Sequence, residues 1–331
     1  MRFYVQKIGF YVVAFWAALT LNFFIPRMMP GDPVGLLLSK MSATGQTVTP
    51  ATRKALEVML GQSSSTNIFV QYGQYLGNLA HGNLGVSLTQ FPASVSSLIG
   101  AAMPWTICLI GLSTIIAFVL GVSLGAIAGW RRGSWLDNVI PVTTMFQAVP
   151  YFWLALILIL LLTQVVHVFP FSGGYNVLSG ATPGLNFSFI GSAIYYGILP
   201  ALTIVLSSVG GWMLGMRNMM VSTLSEDYIV TAEAKGLKPG RVRMMYAARN
   251  AMLPSLSGFA ISLGFVVAGS IVTEEVFNYP GLGQLLFSAV NNDDYALMQG
   301  IFLVISLSVL VANLVVDLFY GFIDPRTRAR A

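Results

Sequence analysis

Long apolar stretches separated by short polar ones set the pattern of this chain. Six segments run almost without charge: residues 8–25, 104–130, 139–165, 193–216, 255–276 and 297–320. Roughly 20 apolar residues in a helix cross a bilayer core. A backbone in lipid must bond its own polar groups, so these segments are expected to be helices rather than strands. The first has the basic flank of a secretory signal, in Arg2 and Lys7. No small-x-small cleavage pattern follows it, and Phe23, Phe24 and Ile25 prolong the apolar run, so it reads as a retained helix. The expected fold class is an all-α integral membrane protein with about six transmembrane helices.

Composition agrees with that reading. Of 331 residues, 56% are hydrophobic and 9% charged, against about 25% charged in a soluble domain. Charge placement gives an orientation, because cytoplasmic loops carry the excess of Lys and Arg. With a cytoplasmic N-terminus, the inner segments hold Arg2, Lys7, Arg131, Arg132, Arg217, Lys235, Lys238, Arg241, Arg243, Arg249, Arg326, Arg328 and Arg330, which is 13 of the 17 basic residues. Six spans return the C-terminus to the cytoplasm. This asymmetry accounts for the net +5 and removes nucleic acid as a partner. Cys108 lies inside an apolar run and reads as a small buried hydrophobe. His81 and His167 are too few and too far apart for a metal cluster.

Along the chain the expected organisation is an N-terminal transmembrane helix (1–26), an extracytoplasmic segment (27–93), a five-helix transmembrane domain (94–323) and a cytoplasmic tail (324–331). Ser63 to Asn67 reads as a loop and Gly31-Asp32-Pro33 as a turn at the membrane exit. Gly121, Gly125 and Gly129 recur every four residues on one helix face, and Gly211 and Gly215 repeat the spacing. Such faces let helices approach closely in lipid.

The connection 217–254 is the longest and most charged inner loop. Ser225 is placed to cap a helix with Glu226 and Asp227 in its first turn, favourable at the positive end of the dipole. That helix should stop at Gly236, with Lys235 in its last turn and Leu237 folding back on Ala232. Pro239 suits the first turn of a second helix reaching almost to Pro254. The loop is therefore expected to be a structured corner and not a tether.

The wording of this loop, Glu226-Asp227-Tyr228-Ile229-Val230-Thr231-Ala232-Glu233-Ala234-Lys235-Gly236-Leu237 followed by Ala248-Arg249-Asn250-Ala251-Met252-Leu253-Pro254, resembles the signature loop of binding-protein-dependent ABC importer permeases. It is similar in particular to the first permease subunit of dipeptide and oligopeptide importers. Met29-Pro30-Gly31-Asp32-Pro33, Tyr279-Pro280-Gly281-Leu282-Gly283, and Asp317-Leu318-Phe319-Tyr320-Gly321 leading into Asp324-Pro325-Arg326 stand in the matching order. The likeness runs through nearly the whole chain. It departs in the outer loop, where Gly82-Asn83-Leu84-Gly85 replaces the family's Gly-Asp-Leu-Gly.

The resemblance implies a type I ABC importer permease in the bacterial plasma (inner) membrane, and a transport subunit rather than an enzyme. Its implied partners are a second homologous permease, two ATP-binding subunits, an extracytoplasmic substrate-binding protein and lipid. The chain has no Gly-x-x-x-x-Gly-Lys-Ser/Thr pattern, so ATP and Mg are expected in the partner subunits and no cofactor on this chain. The corner would couple to an ATPase, with Ala232, Ala234 and Gly236 allowing close approach, Glu233 and Lys235 as exposed polar contacts, and Leu237 as the anchor. Peptides are the first expected cargo; oligosaccharides of the cellodextrin type and metal chelates are alternatives within the same class. A proton-coupled secondary transporter is a remote one, because the spans hold no titratable group near mid-depth. Glu274 and Glu275, near the outer mouth, stand as candidate contacts for the binding protein or as solvated loop charges. Asp317 stands as an intramembrane carboxylate that either functions or pairs locally. Gln147, Gln164, Asn313, Thr143 and Thr144 line a cavity or bond between helices; the sequence does not separate these roles.

Overall fold

A computed structural model describes residues 2–28, 33–43, 49–59, 67–180, 182–268 and 271–323. The turn at Gly31-Asp32, the polar stretch Ser63–Thr66, the tail 324–331 and the side chain of Asp317 fall outside the described residues. The elements are α1 (Arg2–Met28), α2 (Pro33–Ala43), α3 (Pro50–Met59), α4 (Ile68–Ala80), α5 (Val95–Trp130), α6 (Trp135–Ala148), α7 (Tyr151–Ile159), α8 (Phe187–Thr223), α9 (Asp227–Ala234), α10 (Pro239–Arg241), α11 (Arg249–Ala251), α12 (Leu253–Gly264), α13 (Ile271–Val276), α14 (Leu282–Asn291) and α15 (Tyr295–Ile323). Among the described residues the only β-pairing is one isolated bridge, Val86 with Ser94. The all-α membrane class expected above is what the chain adopts.

Two of the six expected spans are not continuous helices. Four helices are long and apolar enough to cross a bilayer in one piece: α1, α5, α8 and α15. The run expected as one span over 139–165 is α6 and α7 meeting at a 103° bend. The cause is local: Val149 precedes Pro150 and is pushed to extended backbone (φ −79°, ψ 129°), because the proline ring disfavours a helical residue before it. The run expected over 255–276 divides into α12, a short 3₁₀ turn at Val266–Ala268 and α13.

The chain separates into two compact units, 1–104 with 281–331, and 105–280. In the first, α1 lies against α15, and Phe23 is fully buried between the rings of Tyr72 and Tyr75 from α4. Asn22 donates to the Gln299 carbonyl at 2.7 Å. Asp294, which charge counting alone would leave as a loop acid, has no exposed surface. Its carboxylate accepts from Ser87 Oγ (2.5 Å), Thr89 N–H (2.9 Å) and Leu297 N–H (3.1 Å). It caps the first turn of α15 and pins the 85–90 loop to it. Asp294→Ala strands buried donors that cost about 1–3 kcal/mol when unmet. A clear drop in detergent-solubilised melting temperature is expected, with Asp294→Asn nearer the wild type; equal melting for Ala and wild type would discard the capping role.

In the second unit, α6, α7 and α12 pack against α8. One core joins Leu109 and Ile110 of α5 to Ala155, Ile159, Leu199, Ile204, Phe277 and Tyr279. The uncharged loop 166–186 folds on aromatic contacts: Trp105 stacks on Tyr175 and meets Phe189 and Tyr279 edge-on. Cys108 is exposed, contrary to the buried position expected. In lipid the outer face of a bundle is as apolar as its interior, so an apolar neighbourhood in sequence does not tell the two apart.

Candidate functional site

The corner in 217–254 forms as its residues dictate, with one change at its start. Ser225 does not cap α9; its hydroxyl donates to the Ser222 carbonyl at 2.7 Å and so closes the end of α8. The N-cap position belongs to Glu226, in extended backbone (φ −77°, ψ 142°). Asp227 sits in the first turn, as expected. At the other end Gly236 takes φ +73°. The Gly236 N–H reaches the Glu233 carbonyl (2.9 Å) and the Leu237 N–H the Ala232 carbonyl (3.3 Å). These paired bonds are a Schellman stop, which needs a left-handed residue that glycine supplies without strain. Lys238 then caps the return arm, with Pro239 in its first turn. The arm continues through a π-helical stretch (Val242–Ala248) into α11.

The corner is joined tightly to the long helices of its unit. Ile229, Ala232, Val242, Ala247 and Ala251 are buried together with Met216 and Met220 of α8 and Phe118 and Val122 of α5. Burying a large apolar side chain is worth about 1.5–3 kcal/mol, so this cluster makes α9 and its return arm an extension of α8 rather than a hinge. The Asn250 amide adds a tie, donating to Tyr228 Oη (3.2 Å) and to the Tyr246 carbonyl (2.8 Å).

The candidate coupling residues divide. Glu233, Ala234, Lys235 and Gly236 are exposed at the tip. Leu237 is half-buried against the cluster, consistent with an anchor. Ala232 was expected to meet a partner closely, but it is 3% exposed and faces the chain's own core. The surface also offers residues that motif reading passed over: Val230, Met244 and Met245 are each more than half exposed. Their signal was present in the spacing. Ile229 and Ala232 point inward at i and i+3, which puts Val230 on the other face.

The small-residue faces are also sorted by the structure. A Cβ built on Gly121, Gly125 or Gly129 would stand 2.5 Å from Trp212 Cβ, 2.4 Å from the Met213 carbonyl oxygen and 2.5 Å from Met220 Cβ respectively. These three let α5 lie directly on the α8 backbone. On α8 the close contact is Gly210, whose Cβ would meet the Thr143 carbonyl oxygen at 2.5 Å. Gly211 instead faces the Gln147 carboxamide at 3.2 Å, and Gly215 has nothing within 4 Å, so neither forms a helix-to-helix backbone contact.

Glu274 is removed from the candidates for docking a separate protein. It has no exposed surface and accepts from Thr106 Oγ1 at 2.8 Å. A buried carboxylate needs such partners to be tolerated. Glu275 is half-buried. Thr143 and Thr144 both donate to the Ile140 carbonyl at 2.9 Å, spending their hydroxyls within their own helix.

A family model described as binding-protein-dependent transport system inner membrane component matches residues 121–329, a range that contains the corner and the α5–α8 contact. The chain is 32% identical to the di/tripeptide transport system permease protein DppB of Pseudomonas aeruginosa, over 99% of both chains. It is 33% identical to the oligopeptide transport system permease protein AppB of Bacillus subtilis, over 92% of both. With the dipeptide transport system permease protein DppB of Escherichia coli it shares 30% identity over 99% of both.

Proposed function

Because the chain belongs to the family of inner membrane components of binding-protein-dependent transport systems, a multi-pass permease working with ATPase and substrate-binding partners, we propose that it carries di- or oligopeptides inward. The three relatives quoted are all named for peptide transport. This favours peptides over the oligosaccharides or metal chelates that the same class admits. In the finer reading it pairs with a second homologous permease and two ATP-binding subunits. ATP and Mg are used on those subunits, since this chain carries no phosphate-loop pattern.

The observation that supports the mechanism most is the corner fused to α8. A coupling element must be stiff and continuous with the spans, or the displacement delivered by a closing ATPase is absorbed locally. The left-handed stop at Gly236 turns the chain at the tip, while the Ile229, Ala232 and Val242 cluster ties the tip to Met216 and Met220. Movement of α9 is then movement of α8, and α8 carries α5 through the three glycine contacts.

The test is import into proteoliposomes holding the full importer, with its binding protein outside and ATP within. Labelled dipeptide should accumulate only with both. Accumulation without ATP would end the ABC reading, and import of cellobiose in place of peptide would end the cargo reading.

A further inference from the structure

One group of polar atoms in the unit 105–280 makes no bond in the corner or in the helix contacts, although the ring of one of its members, Trp212, packs on the cluster beneath the corner. A cavity of about 370 Å³ is lined by Thr114 from α5, Gln147 from α6, Ser208, Gly211 and Trp212 from α8, and Ser262 from α12. Thr114 and Ser208 lie near the middle of the two longest helices of the unit. Among the described residues no charged one lines the cavity.

Neighbouring hydroxyls in the same helices return their protons to carbonyls one turn back: Ser113 to Leu109 (2.6 Å), Thr203 to Leu199 (3.1 Å) and Ser207 to Thr203 (2.9 Å). Ser262 does the same, to Gly258 (2.9 Å). The hydroxyls of Thr114 and Ser208, the Gln147 carboxamide and the Trp212 indole N–H have no hydrogen-bond partner among the described residues. Groups left unmade at the depth of the hydrocarbon are costly if they face lipid, so this surface calls for water, a solute or a partner chain against it.

Two features place Gln147 at its centre. It is the penultimate residue of α6, beside the 103° break at Val149–Pro150. Broken helices at membrane depth are tolerated where they line a cavity, and transporters use them for solute sites. The carboxamide also turns its Nε2 and Oε1 toward Gly211, whose missing Cβ would stand 3.2 Å from both.

We propose that this cavity is a station for the main chain of a passing peptide, with Gln147 pairing to a backbone amide, Thr114 and Ser208 completing the hydrogen bonds, and Trp212 supplying a flat wall for a side chain. A carboxamide offers two donors and an acceptor, the complement of a peptide unit. It carries no charge that would select for the solute's own ends or side chains. Recognition of the main chain alone suits a conduit that must pass many sequences. This rests on the peptide cargo proposed above.

The experiment uses the complete importer in proteoliposomes with its binding protein and ATP. It compares Gln147→Leu and Gly211→Ala with wild type, and with Gln164→Leu as an exposed control. The probes are an alanine tripeptide and the depsipeptide in which an ester replaces its second amide. Gln147→Leu should lower tripeptide uptake at least tenfold and depsipeptide uptake much less. Gly211→Ala, pressing on the carboxamide, should follow in the same direction. Binding-protein-stimulated ATP hydrolysis should stay within twofold throughout. Wild-type tripeptide import left intact by Gln147→Leu overturns this inference alone, as does joint loss of import and ATP hydrolysis, which would make Gln147 structural. Absence of any peptide import by the wild type sinks the cargo reading with it.

Discussion

Gly236→Val is expected to stop uptake while the protein remains in the membrane at its normal level. The reason is the backbone and not crowding within the chain. Gly236 has φ +73°, and a Cβ there would meet nothing within 4 Å. An ordinary L-residue held left-handed costs about 1–2 kcal/mol, and a β-branched one is a genuine outlier there. Valine therefore opens the Schellman stop, loses the 3.3 Å bond from Leu237 to Ala232 and swings the exposed tip of Glu233, Ala234 and Lys235. The buried cluster beneath is untouched, so membrane insertion should persist. Loss of about 1.4 kcal/mol in the coupled geometry is a tenfold loss, and import should fall by at least that much. Gly236→Asn separates two contributions, because asparagine tolerates the left-handed region. Near-normal import by Asn assigns the effect to backbone shape. Import as low as that of Val assigns it to a side chain intruding on the partner's surface. Normal import by Gly236→Val, with protein level checked by immunoblot, would remove the corner from the coupling path.

The corner was readable from sequence because everything that shapes it is local. Glycine after a lysine, an apolar residue folding back across the stop and a proline opening the next arm act within a dozen residues. What failed to be legible depends on partners distant in the chain. Thr106 lies 168 residues from Glu274, and Ser87 lies 207 from Asp294, so nothing local in the sequence marks either acid as buried; the fold brings in the hydroxyl donors. The bend between α6 and α7 falls between these cases. Val149-Pro150 is a local breaker, but mean apolarity across 139–165 is indifferent to helix direction and masked it. The same indifference hid the exposure of Cys108. Among the polar candidates, Thr143 and Gln147 differ by one helical turn on α6. Only the α8 surface opposite them, where Gly210 meets backbone and Gly211 meets the carboxamide, decides that one is packing and the other faces a cavity.

The second large effect is expected at Gly125. Its position on α5 sets a Cβ 2.4 Å from the Met213 carbonyl oxygen and 2.9 Å from Met216 Cβ, and a backbone oxygen cannot move aside as a side-chain tip can. Between helices in lipid there is little hydrophobic drive, so association rests on close packing of this kind. Gly125→Leu must push α5 away from α8 and opens the contacts at Gly121 and Gly129 as well, since all three lie on one stripe. Overpacking a single site costs about 1–3 kcal/mol, and losing two further contacts carries the change past what a marginally stable fold tolerates. The expected result is little or no monodisperse protein on size exclusion in detergent, and a complex that fails to assemble. Gly125→Ala should give a milder loss in melting temperature. Gly215→Ala, with open space around it, should match the wild type and exchanges a poor helix former for a good one. Assembly and import unchanged in Gly125→Leu would mean that α5 and α8 separate freely, and then the glycine stripe would not carry movement of the corner from α8 to α5.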